Sequence, residues 1–270
     1  MKASIRIELY DGSQEKDWND FVRKSKNGTF LFFRDYTEYH CDRFEDYSLL
    51  GWNDNEGSPP LLFGELLEVA YEYFTDGPDH EVVAFAVEEA FLKRDRLFGL
   101  PVVPFEKLET LYDPADHRFF VATVYTQMNA LRRRLYAQAK QKGYAPASYI
   151  SPHAFVWRNA QIGEHCFIFE NNVIQPFARI GDNVILWSGN HIGHHSVVQD
   201  HCFLSSHVVI SGFVNVGESC FMGVNSTVAN NVTIGNDCLI GAGALVLHDV
   251  PDGQTVVGTW KKRPPDSSSS

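Results

Sequence analysis

The chain has 270 residues, 44% hydrophobic and 21% charged, which is the composition of a globular protein with room for two domains and a sizeable core. Its formal net charge of -11 at pH 7 repels nucleic-acid phosphates, and no dense stripe of lysine and arginine offsets that charge. The first residues lack the apolar stretch of a signal peptide, and no run of about 18 apolar residues occurs, so we expect a cytoplasmic protein without a membrane span.

Two segments precede the main repeat of the chain. Residues 1–59 contain a strand-like SIRIELY and a short helix, and we assign this segment no chemical role. Residues 60–148 alternate between strand (PLLF), helix (Glu65–Tyr73), strand (EVVAFAV), a proline-containing connection, strand (RFFVATV) and helix (Asn129–Lys142). This alternation predicts a small parallel α/β unit.

An unbroken period of six residues begins at Ile150. Every sixth residue is aliphatic, seventeen times in succession: Ile150, Val156, Ile162, Ile168, Ile174, Ile180, Leu186, Ile192, Val198, Leu204, Ile210, Val216, Met222, Val228, Ile234, Ile240 and Val246. Such a fixed period is the signature of a hexapeptide β-helix. We therefore predict one continuous parallel β-helix over residues 149–252, without a looped-out insertion, followed by a C-terminal tail over 253–270.

Two further positions of the hexad support this prediction. The fourth residue after each aliphatic is mostly small and includes four of the five cysteines, which we interpret as interior packing and not as reactive thiols. The third residue after each aliphatic is Asn, Asp, Gly or His at thirteen of sixteen positions. Because these residue types best tolerate positive φ, we expect a sharp corner in nearly every hexad.

The histidines divide into two groups. Seven of the eleven lie between residues 153 and 207, and five of these occupy the corner position: His153, His165, His195, His201 and His207. The repeat does not account for His191 and His194, so these two are the functional candidates. A neutral imidazole accepts a proton near neutral pH, which suits attack by an amine or a hydroxyl on a thioester.

The segments HIGHHSVVQDHCFLSSHVVISG and NVGESCFMGVNSTVANNVTIGNDCLIGAGALVLHDVPDGQTVVG resemble the left-handed β-helix acyltransferases, in particular the nucleotide-sugar N-acetyltransferase and sialic-acid O-acetyltransferase family. The resemblance covers about residues 60–258. It implies a mainly β fold, in which a left-handed parallel β-helix follows a small, degenerate Rossmann-like α/β domain. It also implies a homotrimer with acetyl-CoA, the co-substrate, between neighbouring helices, and it assigns the general base to His194.

The same resemblance assigns further residues. Gly212, Val224 and Ala242 fall where the family lines the pantetheine arm of the coenzyme. The acceptor, a nucleotide sugar or another sugar, is assigned to Gly64, Glu88 and Glu89, and we add His191, which the repeat does not explain. The basic residues Lys261, Lys262 and Arg263 are available to the coenzyme phosphates.

Three positions depart from the family pattern. The family has an acidic residue directly after the base, whereas this chain has His195, which we retain beside His194 as a catalytic candidate. A family histidine near the coenzyme corresponds to Phe203. The first strand-to-helix turn, LLFGELLEVAYEY, keeps one glycine where a phosphate cradle needs two or three.

The sequence leaves several functions open. The α/β unit favours transfer to the amino group of a nucleotide-linked amino sugar, and the alternative within the family is O-acetylation of a sugar hydroxyl. A γ-class carbonic anhydrase uses the same helix with zinc, but its histidine pair five residues apart has no counterpart in this chain, and we expect no metal site. A non-catalytic trimeric scaffold is the remaining alternative.

Overall fold

A computed structural model describes residues 65–76, 81–125 and 127–260. The N-terminal segment 1–59, the strand expected at 60–63, Gly64 and the basic residues 261–263 lie outside the described residues. Within the described ranges, no helix is both long enough and apolar enough to cross a membrane.

The first described helix has an apolar face at a spacing of four residues. Helix α1 (Glu65–Thr75) begins at the predicted residue and extends two residues beyond the predicted end. Leu66, Ala70 and Phe74 follow one another at intervals of four, so they lie on one side of the helix, and all three are buried. This face packs α1 against the β-helix.

A three-stranded sheet follows α1. It consists of β1 (Phe85–Val87), β2 (Arg96–Leu97) and β3 (Leu100–Pro104), and a 3-10 turn and the short helix α2 (Leu108–Leu111) come next. The strand order is β1-β3-β2, with β1 parallel and β2 antiparallel to β3. We expected residues 118–124 to be the next strand, but the parallel neighbour of β1 is β3. We interpreted Pro101 and Pro104 as a connection, whereas they bracket two valines that retain their N–H groups for the sheet.

The α/β unit ends in a short sheet and a longer helix. Strand β4 (Arg118–Phe119) pairs in parallel with β5 (Ala145–Pro146), so only two residues of the expected RFFVATV strand form a ladder. Helix α3 (Ala130–Gln141) lies between them and agrees with the predicted span to within one residue at each end.

From residue 149 the chain forms two-residue strands in three parallel sheets. Sheet I comprises β6 (Tyr149–Ile150), β9 (Phe167–Ile168), β12 (Ile185–Leu186), β15 (Phe203–Leu204), β18 (Phe221–Met222), β21 (Leu239–Ile240) and β23 (Thr255–Val256). Sheet II comprises β7 (Phe155–Val156), β10 (Val173–Ile174), β13 (His191–Ile192), β16 (Val209–Ile210), β19 (Thr227–Val228), β22 (Leu245–Val246) and β24 (Thr259–Trp260). Sheet III comprises β8 (Gln161–Ile162), β11 (Arg179–Ile180), β14 (Val197–Val198), β17 (Asn215–Val216) and β20 (Thr233–Ile234).

This arrangement is a parallel β-helix with three hexads in each coil. From β6 to β19, each strand pairs with the strand eighteen residues later, as Ile192 does with Ile210 and Ile210 with Val228. No helical segment interrupts residues 150–250. The predicted fold class and the absence of an insertion are confirmed.

The corners follow the predicted rule. We call the corner between sheets I and II corner A, that between sheets II and III corner B, and that between sheets III and I corner C. All fourteen corner residues from His165 to Gly243 have positive φ, whereas His153 and Asn159 do not. The turns therefore have the expected left-handed backbone from the first complete coil onward.

Two columns of side chains fill the interior. The aliphatic column is buried from Ile168 to Val246, and the small column beside it contains the four described cysteines, which are buried and free. Each thiol donates to a backbone carbonyl near a corner, as Cys202 does to Gly217 O at 3.0 Å. Burial raises the pKa of Cys166 to about 12. All four thiols pack in the interior, as predicted.

Two asparagines interrupt the small column, and both are hydrogen-bonded. The Asn172 amide donates to Phe169 O at 2.8 Å, and its oxygen accepts from the Asn190 N–H at 3.2 Å. Asn190 repeats this pattern with Trp187 O and the Val208 N–H. This ladder satisfies polar groups that burial would otherwise make costly.

The last coils are shorter than the others. Ile234 bridges to Val250 and Ile240 pairs with Val256, sixteen residues on in each case. Val246 pairs with Trp260, fourteen residues on. The ladder thus continues past residue 252 with tighter turns.

The α/β unit covers sheet I. Leu66, Ala70 and Phe74 of α1 form one buried cluster with outward side chains of that sheet: Phe167, Ile185 and Phe203. Helix α3 docks on the adjoining corner C through Arg132, whose guanidinium is fully buried and donates to His201 O at 2.9 Å and Cys202 O at 3.1 Å. Among the described residues, the buried cluster includes none from sheets II and III or from corner B.

The buried imidazole of His165 on corner C predicts acid sensitivity. The Val121 N–H donates to Nε2 at 2.8 Å, and Nδ1 bonds to Asn183 Oδ1 at 2.9 Å, so the ring is held neutral. Burial lowers the pKa of His165 from 6.5 to about 3. The unfolded chain therefore binds one more proton between these two values, and stability falls as the pH decreases from about 6.5 towards 3.

We expect His165→Asn, which keeps a residue type suited to the corner, to flatten this dependence. Between pH 6 and 4 the wild-type chain should lose about 1.4 kcal/mol more per pH unit than the variant, the value for one linked proton. Denaturant unfolding at matched protein concentration measures the difference. Parallel pH profiles for the two proteins would contradict the assignment.

Candidate active site

The predicted functional histidines lie together at corner B. His191 is the outward residue of β13, and His194 and His195 form the turn that leads to β14. Gly193 permits this turn to stack on the next coil, because a Cβ there would lie 2.5 Å from the Ser211 carbonyl carbon. His194 and His195 are exposed and His191 is half-buried.

Three contacts hold His194. Its N–H donates to Gln175 Oε1 at 3.0 Å, and its Nδ1 lies 3.2 Å from Nδ1 of His195. Its ring lies directly over Gly212 of the next coil, where a Cβ would be 2.7 Å from Cε1 and 2.8 Å from Nε2. These contacts orient the ring and leave Nε2, among the described residues, without a hydrogen-bond partner.

His195 is enclosed between two aromatic rings. It has φ 58° at the corner, and its ring stacks on Phe177 at 4.6 Å and on Phe213 at 4.8 Å. The two phenylalanines occupy the same corner one coil before and one coil after. The repeat explains His195 as a residue type that tolerates positive φ, but it did not predict the contact of His195 with His194.

Sequence reasoning missed Phe177 and Phe213, although a signal was present. Of the sixteen corner positions, only Phe177, Phe213 and Ser219 depart from Asn, Asp, Gly and His. Phe177 and Phe213 stand eighteen residues on either side of His195, which is one coil in each direction. A bulky residue at positive φ is strained, and both side chains are more than half exposed, so packing of the core does not explain them.

The predicted coenzyme residues lie on two corners. Val224 and Ala242 are neighbours on corner A, where the Gly243 N–H donates to Val224 O at 2.8 Å. Gly212 lies on corner B, buried beneath His194, and its N–H donates to Asn230 Oδ1 at 2.9 Å. Sheet II separates the two corners, so one chain does not bring these three residues together.

The predicted acceptor residues lie in the α/β unit, apart from His191. Glu88 accepts two hydrogen bonds from Arg134, at 2.8 and 3.0 Å, and Glu89 pairs with Lys107 at 2.6 Å. Gly64 lies outside the described residues. Phe203, at the position of a family histidine, is buried under the α/β unit on sheet I and is therefore not part of corner B.

The close approach of Gly212 to His194 makes a specific prediction. The backbone of Gly212 does not require positive φ, so Gly212→Ala should fold, but its methyl group displaces the imidazole. Because displacement of a reacting group by about 1 Å costs up to 10²-fold, we expect a loss in kcat of about 10- to 100-fold.

A double-mutant cycle checks this explanation. If Gly212→Ala acts through His194, it should have no further effect on kcat in a His194→Ala background. Additive losses in the double variant would show that Gly212 acts on the substrate or on the fold instead.

The fold has counterparts among known proteins. The bacterial transferase hexapeptide model (six repeats) matches residues 159–193, 177–212 and 213–248. A variant of perosamine N-acetyltransferase from Caulobacter crescentus, in complex with CoA and GDP-perosamine, is 31% identical over 64% of this chain and 81% of that chain, with a TM-score of 0.59. No curated protein matches the chain.

Two further solved structures are similar. The acetyltransferase domain of PglB from Neisseria gonorrhoeae is 25% identical over 65% of this chain and 83% of its own, with a TM-score of 0.59. WeeI from Acinetobacter baumannii is 21% identical over 71% of this chain and 91% of its own, with a TM-score of 0.56, a similarity that shows the fold alone.

Proposed function

Because the chain belongs to the hexapeptide-repeat acyltransferases with a left-handed parallel β-helix, we propose that it transfers an acetyl group from acetyl-CoA to the amino group of a nucleotide-linked amino sugar. The observation that carries this proposal is the exposed imidazole of His194, fixed over Gly212 and bonded to His195 on a corner of the helix. The Caulobacter relative, bound to CoA and GDP-perosamine, supports both substrates.

The proposed reaction needs no covalent enzyme intermediate. The amino nitrogen attacks the thioester carbonyl carbon while His194 Nε2 takes the proton that the amine loses. The carbon–sulfur bond then breaks, and the departing thiolate receives a proton from the imidazolium. The products are an amide and free CoA, and the imidazole is again neutral.

We propose that the pantetheine arm lies between two chains. Val224 and Ala242 are on corner A, whereas Gly212 and His194 are on corner B, with sheet II between them. A coenzyme held between corner A of one chain and corner B of its neighbour reaches all of these residues. We also propose that the basic residues 261–263 bind the coenzyme phosphates and that His191 binds the acceptor.

The same geometry supports a homotrimer. The α/β unit, to which we assign the acceptor, covers sheet I, and corner B is the corner opposite that sheet. The α/β unit of one chain therefore faces away from its own His194, and a neighbouring chain is needed to bring an acceptor to it. We also propose a cytoplasmic location, where acetyl-CoA is available.

Light scattering coupled to gel filtration tests the assembly. We expect a mass three times that of the chain at micromolar concentration. A monomer that nevertheless acetylates its acceptor at full rate would contradict a site shared between chains.

The activity is tested by release of CoA thiol from acetyl-CoA in a panel of acceptors. The panel contains UDP- and GDP-linked amino sugars, each matched to the sugar that carries a hydroxyl in place of the amine. We expect turnover only with an amino acceptor, an N-acetylated product by mass spectrometry, and turnover by His194→Ala that is slower by about 10² to 10⁴-fold. Turnover of the hydroxyl sugars alone would establish O-acetylation instead.

The same samples test the two non-acyltransferase alternatives. Among the described residues, no group of three or more His, Cys, Asp or Glu side chains is placed to hold a metal ion. Acyl transfer that persists after dialysis against a chelator contradicts a zinc enzyme, and saturable binding of acetyl-CoA contradicts a scaffold.

A further inference from the structure

His195 takes the place of a carboxylate beside the proposed base. We propose that neutral His195, held between Phe177 and Phe213, is the positioning residue that fixes His194 as the tautomer with a free Nε2. This inference rests on the proposed function, because it explains how the base of that reaction is prepared.

The contact between the two rings restricts their protons. The two Nδ1 atoms are 3.2 Å apart, and a hydrogen bond between them needs one proton, carried by one ring. If His194 carries it, His194 Nδ1–H donates to His195 and Nε2 keeps its lone pair, which is the form that acts as a base. If His195 carries it, Nδ1 of neutral His194 accepts, and the proton of His194 lies on Nε2, where it blocks the reaction.

Only neutral His195 with its proton on Nε2 therefore supports the base. Such a ring also continues to accept the hydrogen bond after His194 has become an imidazolium, as a carboxylate would. Protonation of His195 on Nδ1 removes the acceptor. Catalysis by this pair thus requires both imidazole rings to be neutral, whereas a base paired with a carboxylate requires only its own ring to be neutral.

The two phenylalanines fix the plane of His195. Its ring is nearly parallel to that of Phe213, at an interplanar angle of 16°, and lies at 25° to that of Phe177. Phe213 also meets the ring of His194 edge to face at 5.0 Å. An exposed histidine at a corner would otherwise rotate freely, so the aromatic pair explains two strained corner residues that the repeat does not require.

Among the described residues, the neighbouring turns of the same corner add no charged group beside this pair. The turns of the neighbouring coils contribute Pro176 and Phe177 on one side and Gly212 and Phe213 on the other, none of which titrates. The strands that flank the corner carry two ionisable groups, His191 on β13 and Arg179 on β11. Within the described part of the chain, neither shares a hydrogen bond with the two rings.

The pH dependence of kcat/KM shows whether His195 positions His194 or serves only the structure of the corner. His195→Asn keeps an oxygen acceptor and a residue type suited to positive φ, but it removes one ionisation. On the acid side of the profile, we expect kcat/KM of the variant to depend on one proton fewer than kcat/KM of the wild type. Its kcat at neutral pH should stay within about fivefold of the wild-type value, because the orienting hydrogen bond is retained. The acceptor amine ionises in the same way in assays of both proteins, so it does not contribute to the difference between their pH profiles.

His195→Ala removes the acceptor, and Asp237→Ala is its matched control. Asp237 is also an exposed corner residue, with φ 54° against 58° for His195, but it lies on corner C, which carries none of the residues assigned to the substrates. We expect His195→Ala to lower kcat about 10- to 100-fold, as the loss of an orienting partner does, with little change in the KM for acetyl-CoA. Asp237→Ala, which places the same residue type at positive φ, should leave both constants unchanged.

Phe177→Asn separates function from stability. Asparagine suits the corner backbone better than phenylalanine, so we expect an equal or higher Tm together with a lower kcat. A lower Tm with unchanged kcat would show that the ring serves packing only and would overturn its part in the proposal.

The tautomer of His194 can also be measured directly, without turnover. In 15N-histidine spectra of the intact protein, His194 should be protonated on Nδ1 in the wild type and in His195→Asn, and should shift towards the Nε2–H tautomer in His195→Ala. An Nε2–H tautomer of His194 in the wild type, or equal acid limbs for wild type and His195→Asn, overturns the inference. An Nδ1–H tautomer in a protein that acetylates no acceptor would support the inference and contradict the proposed function instead.

Discussion

Replacing His194 by alanine should lower kcat by about 10² to 10⁴-fold, the usual contribution of a general base. The affinity for acetyl-CoA should change little, because the base acts on the proton that leaves the acceptor only in the transition state. The structure supports this expectation, since His194 is exposed at corner B and its Nε2 has no hydrogen-bond partner among the described residues. Steady-state kinetics with both substrates varied, together with direct titration of acetyl-CoA, measure the two quantities.

The loss of kcat in His194→Ala is to be compared with the loss in His195→Ala. His195→Ala should cost clearly less than His194→Ala, since His195 does not touch the reacting atoms. A larger loss for His195→Ala would overturn the assignment of the base. If both losses are small, an amine already deprotonated at the assay pH attacks without help, and measurements about two pH units lower would then restore the difference, because the ammonium form must first lose its proton.

The β-helix was predictable because its sequence signal is local and repeated. A period of six needs no knowledge of distant contacts, since each coil stacks on the next by the same eighteen-residue register. The α/β unit carried a weaker signal. Pro101 and Pro104 suggested a loop, yet they bracket a strand whose place between β1 and β2 depends on tertiary pairing.

The site was predictable in part. His194 could be identified because it departs from the repeat and matches the family base. Its partner could not be assigned from the repeat, because His195 fits the corner rule, and only the stacked coils show that Phe177 and Phe213 enclose it. The role of Gly212 likewise depends on an approach between two coils that sequence spacing alone does not give.

The largest effect on stability is expected from Ile210→Asp. Ile210 is fully buried in the aliphatic column, between Ile192 and Val228 of the neighbouring coils. A carboxylate at this position has no partner in a dry interior, which costs several kcal/mol, against a total stability of about 5–15 kcal/mol for a typical protein. We expect insoluble expression or loss of the cooperative unfolding transition, whereas Thr233→Asp, on an exposed outward position of β20, should fold normally.

The pH dependence of this defect separates charge from polarity. A buried carboxyl group binds its proton more tightly in the folded chain than in the unfolded chain, so Ile210→Asp should be least unstable at acid pH and lose stability as the pH rises above about 4. Ile210→Asn has nearly the same shape without the charge, and its deficit relative to wild type should not vary with pH. If the two variants were equally destabilised at every pH, shape and lost apolar contact would account for the defect. The column would then tolerate a buried charge, which an interior lined by aliphatic and small side chains should not do.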